Sequence, residues 1–174
     1  MSQKTVLNNG KFDSFTQVFI FIDLAMAGLG LLMSPLSFFM TKEEQVPSLT
    51  VHYMNLSFSV ITLTIALIAG IMLLKKSLLG VKLALTSLGM IVFSMIAGIV
   101  VFLFQYDDTK VILEKTLPQG QQQIISIDTL MMITIATMVF GTILRLVYNF
   151  FYYKAVRRAE KVIKGEVEEE IYLD

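Results

Sequence analysis

Asp23 and Arg145 are the two residues of this chain best placed to do chemistry, because each lies inside a long run of apolar residues. Ionisable side chains in such surroundings are costly in lipid, turn to the interior of a bundle, and are functional candidates by default. Each lies about eight residues from the nearer end of its run, so on helical rise both sit roughly 10 Å deep. Three roles are open to them. An ion pair would fix which helices are neighbours. Arg145 could instead extend its stem to the interface and contact lipid phosphate. The two could also serve proton coupling or ligand binding, although a pair with Arg145 would keep Asp23 ionised, which argues against a proton carrier.

A second group of polar residues, His52, Tyr53 and Asn55, stands at the start of one apolar run, with Asp128 at the start of another. A contact between His52 and Asp128 would make an acid-base dyad. An interfacial histidine and a helix-capping aspartate account for the same residues more simply. His52 is the only histidine and cysteine is absent. Paired-histidine haem ligation, a histidine-rich zinc site, disulfides and thiol catalysis are therefore excluded within one chain. No phosphate-binding loop, dinucleotide glycine fingerprint, zinc-protease motif or nucleophile elbow is present. Ten of the eleven methionines are spread through the apolar runs and read as gap-filling residues rather than copper ligands. No cofactor is expected.

The elements that carry these residues are four apolar runs, at 15–40, 54–74, 83–104 and about 124–153. At about 1.5 Å per residue, each is long enough to cross a hydrocarbon core of roughly 30 Å. The first is too long for a signal-peptide core and is expected to be a retained span. Charged residues make up 16% of the chain, against roughly a quarter in a soluble domain, and the formal net charge is zero, so no basic surface attracts nucleic acid. The expected fold is all-α: an integral membrane four-helix bundle of up-down topology over 1–153. A basic helix and acidic tail follow over 154–174.

Basic residues orient the bundle. Ten lie in the N-terminal segment, the second break and the C-terminal tail, against three in the first and third breaks. Both termini are expected at the cytoplasmic face of the plasma membrane, with segments 41–53 and 105–123 outside. Tyr148, Phe150, Phe151, Tyr152 and Tyr153 read as an interfacial aromatic belt. Asp108 is expected to cap a short surface helix over 109–117. Pro35 should bend the first span, because it cannot donate to the Leu31 carbonyl.

Small or polar stripes at helical spacing mark the expected contact faces. They are Asp23, Ala27, Gly30 and Ser34 in the first span, and Asn55, Ser59, Thr62 and Ala66 in the second. The third carries Gly80, Ser87, Ser94 and Gly98, and the fourth Thr134, Gly141 and Arg145, with Thr137 alongside. The reading that follows is a non-enzymatic accessory or assembly subunit acting through helix faces and tail. Its partners would be membrane lipid, other membrane subunits or further copies of itself, and a cytosolic protein at the acidic tail. A small oligomeric permease or channel using Asp23, Arg145 and the Pro35 bend is the alternative.

Overall fold

The computed structural model describes residues 11–42, 46–116 and 126–166. Five α-helices account for nearly all of them: α1 (Ser14–Met40), α2 (Leu49–Leu74), α3 (Leu78–Phe104), α4 (Tyr106–Thr116) and α5 (Ile127–Lys164). All but α4 are long and apolar enough to cross a membrane. They form a closed ring in which α1 packs on α2, α2 on α3, α3 on α5 and α5 on α1.

Local sequence sets the helix ends. The side chains of Asp13, Ser48, Ser77 and Ser126 each accept a hydrogen bond from a backbone N–H of the first turn, satisfying donors that have no partner within the helix. Gly165, at φ 75°, closes α5 in the left-handed conformation that glycine adopts without strain. Ser48 starts α2 five residues before the expected run, so His52 and Tyr53 are helical rather than part of a connection. The acidic helix also begins early, at Tyr106, with Asp107 and Asp108 both inside its first turn. Asp108 is therefore not its cap. The residues expected to turn the chain after it, Pro118, Gln119 and Gly120, lie outside the described residues.

Between α2 and α3 the chain reverses in three residues. Lys76 takes φ 56°, while Lys76 N donates to Leu73 O and Ser77 N to Met72 O. These bonds occupy the carbonyls that the end of α2 would otherwise leave unsatisfied. The hairpin brings Gly80 against the backbone of α2. A Cβ at Gly80 would stand 2.6 Å from Leu73 N and 2.8 Å from the Met72 carbonyl carbon.

Burial is concentrated at the end of the ring that holds this turn. Ile20, Leu73, Val81, Ala84, Tyr152, Val156 and Ala159 form its centre, with Phe12 folded over it. The three stripes of α1, α2 and α3 enter the interior at this end, through Asp23, Ala27, Thr62, Ala66, Gly80 and Ser87. Toward the opposite end the helices expose large apolar side chains such as Phe39, Phe104 and Phe140.

The fourth stripe does not follow the expectation. Thr137, Gly141 and Arg145 are exposed, and α5 instead buries Asn149, Tyr152, Ala155, Val156 and Ala159. The helix continues unbroken through the basic stretch, whose apolar residues recur at helical spacing and join the core. Of the expected aromatic belt, Phe150, Phe151 and Tyr153 are exposed, whereas Tyr152 is 1% exposed.

Candidate functional site

Asp23 lies on the buried face of α1, in line with Thr16, Ile20 and Ala27. That face meets α5 through an aromatic seam at the basic end. Phe19 stands 5.8 Å from Tyr148 and 6.1 Å from Phe151, and Phe15 stands 6.4 Å from Phe151, centroid to centroid. Tyr148 and Tyr152 stack at 6.2 Å with nearly parallel rings. Such contacts add to the apolar burial of the rings. They also bring both tyrosine hydroxyls into electrostatic reach of the Asp23 carboxylate.

Asp23 is 6% exposed. The Tyr152 hydroxyl faces it, within reach but outside the geometry of a formed hydrogen bond. Among the described residues Asp23 Oδ2, Tyr148 OH and Tyr152 OH have no hydrogen-bond partner. Unsatisfied buried polar atoms are expensive, and three at one place form a cluster rather than scattered exceptions.

The expected pair between Asp23 and Arg145 is not formed. Arg145 is exposed and enters no ion pair among the described residues, while Asp23 faces inward. The reason is register. Asp13 and Arg158 touch at 3.0 Å, which aligns α1 with α5. Asp23 then lies about 15 Å from that contact along α1, and Arg145 about 20 Å along α5. Tyr148 matches the depth of Asp23, and Arg145 stands about one turn further away.

No known protein family, curated protein or solved structure matches this chain.

The other candidate residues are dispersed. Asp128, at the start of α5, accepts from Lys110 Nζ at 2.7 Å and so ties α4 to α5, rather than meeting His52. His52 is half-buried, stands 5.7 Å from the Tyr53 ring, and its Nε2 has no hydrogen-bond partner among the described residues. Asn55 is exposed. No group of three metal-ligating side chains occurs among the described residues. Pro35 lies within α1, where the Ser34 hydroxyl one position before it donates to Gly30 O at 2.8 Å. Beside Pro35 a lateral groove of about 520 Å³ opens between α1 and α2, lined by Leu31, Phe38, Leu56 and Val60 among others.

The basic end carries its own ion pairs. Glu160 bridges Arg157 at 2.7 Å and Lys164 at 2.8 Å, and hydrogen bonds from Lys164 and Arg157 hold its carboxyl below the usual glutamate range. Arg158 also lies over the Phe15 ring, 4.8 Å from its centroid. The sequence reading missed Tyr148, Tyr152 and Asn149 as interior groups. Their spacing of three to four residues, continued by Ala155 and Ala159, was the available signal.

Proposed function

We propose that this chain is a multi-pass membrane protein with both ends at the cytoplasmic face, acting as a non-enzymatic accessory or assembly subunit. Its lateral contact would be the exposed stretch of α5 around Gly141 and Arg145. The supporting observation is Arg145 itself. It is exposed, without an ion pair among the described residues, and about 20 Å from the Asp13–Arg158 contact that marks the basic end. The helices α1, α2 and α3 contain 26 or 27 residues, hence run for about 40 Å, so this position falls near the middle of the span.

A guanidinium at that depth calls for an anionic partner or a snorkelling path to the surface. A second copy of this chain is a poor source of the anion, because its own intramembrane acid, Asp23, is buried. A foreign membrane helix carrying an aspartate or glutamate fits better. Gly141, one turn from Arg145, is exposed and has nothing within 4 Å of a Cβ built on it, so another backbone can approach closely.

Affinity purification in mild detergent, with lateral crosslinking from position 141, tests this reading. The expected result is a stable foreign subunit that Arg145→Ala and Gly141→Leu each release while the protein stays folded. A monodisperse protein without a partner would count strongly against it. The buried, unpartnered Asp23 favours a second reading, a small permease. Flux into reconstituted vesicles that Asp23→Asn abolishes, with folding intact, would move transport to first place.

A further inference from the structure

We propose that the carboxylate of Asp23, with the hydroxyls of Tyr152 and Tyr148, forms an interior binding site for a small monovalent cation, either a proton or an alkali metal ion. The site does not depend on the lateral-partner reading, which concerns the exposed stretch of α5 around Gly141 and Arg145.

Three observations converge. Asp23 and Tyr152 are each more than nine-tenths buried, and Tyr148 is half-buried beside them. The carboxylate Oδ2 and both phenol oxygens lack hydrogen-bond partners among the described residues. Among the described residues no ion pair includes Asp23, and from α5 it is faced by the two tyrosines. The buried hydroxyls of the other two helices are spent on their own backbones, with Thr62 of α2 donating to Phe58 O and Ser87 of α3 to Ala84 O.

An isolated carboxylate in such a place is far costlier than a neutralised one. A bound proton would turn one carboxylate oxygen into a donor for a tyrosine oxygen, and the second tyrosine could then donate to the other carboxylate oxygen. An alkali ion would find hard oxygen ligands in the same three side chains. Either occupant supplies the partner that the cluster lacks.

Thermal unfolding of the full-length protein in lipid nanodiscs tests the site. It would be followed from about pH 4 to pH 9, and at fixed pH in sodium chloride against choline chloride. If a proton is bound, the unfolding temperature falls by several degrees as the pH rises through the range where that proton is lost. If an alkali ion is bound, the temperature rises with sodium and not with choline. Asp23→Asn should flatten whichever response is seen. Tyr152→Phe removes a single oxygen from the interior, so it should fold and should displace the pH or sodium midpoint. The proposal is overturned if neither variable moves the wild type, if the response survives in Asp23→Asn, or if Tyr152→Phe superimposes on the wild type. Should Asp23→Asn fail to fold, the Tyr152→Phe comparison decides.

Discussion

Asp13 caps α1 and, through its other carboxylate oxygen, holds Arg158 of α5 at 3.0 Å across 145 positions of sequence. Oδ1 accepts from Thr16 N while Oδ2 accepts from the guanidinium, so one side chain both starts a helix and sets its register against another. That register carries Tyr148 and Tyr152 to Asp23 and leaves Arg145 outside.

Partial burial works to raise the Asp13 carboxyl, but hydrogen bonds from Thr16 and Arg158 prevail and hold it below the usual aspartate range. A lowered carboxyl stabilises the fold at neutral pH and loses that contribution as the pH falls through its folded value. Asp13→Asn should therefore weaken the protein at pH 7 and blunt its sensitivity below about pH 4. Both partners are about half exposed, so a double-mutant cycle with Arg158→Ala should return a coupling of only about 0.2–1 kcal/mol. Chemical unfolding in detergent micelles measures both effects.

Gly80 and Gly98 should respond in opposite ways to the same substitution. At Gly80 a methyl group meets backbone atoms of Leu73 and Met72, which cannot rotate away. Gly80→Ala should cost about 1–3 kcal/mol or more by forcing the hairpin apart. Gly98 has nothing within 4 Å, so Gly98→Ala should be neutral or slightly stabilising, because alanine favours the helix. Paired unfolding curves would show the contrast, and equal losses at both positions would contradict the close approach of α2 and α3.

Lys76 is the only described non-glycine residue at positive φ, and it occupies the position after α2 where glycine is usual. The left-handed conformation costs an ordinary residue roughly 1–2 kcal/mol. Lys76→Gly should recover part of this and raise the unfolding temperature, with part of the gain offset by the greater freedom of glycine in the unfolded chain. A lower temperature would mean that the Lys76 side chain contributes more than its backbone strain removes.

Much of the architecture was legible from residue order because helix length, caps and breakers act locally. Four apolar runs became four long helices, while the caps Asp13, Ser48, Ser77 and Ser126, equally short-range, went unread. The inward faces of α1, α2 and α3 were also readable near the basic end, where small residues such as Ala27, Ala66 and Gly80 allow close contact. The covered length of α5 was misread. Gly141 and Arg145 lie at helical spacing on the same side as Tyr152, Val156 and Ala159, yet the former are exposed and the latter buried, and the basic residues around the latter suggested a surface helix.

Sequence alone determined the number of long apolar helices, the tight α2–α3 reversal and the two charges lying within apolar runs. Tertiary structure decided how far along α5 the bundle closes, so that Asp23 meets two tyrosines while Arg145, about one turn further along the same side of the helix, is exposed and without an ion pair among the described residues. The physical reason is that a helix apolar on nearly every side carries no local mark of where along its length its neighbours will cover it. Register is then settled by contacts between distant segments, here the Asp13–Arg158 pair and the aromatic seam of Phe15, Phe19, Tyr148 and Phe151.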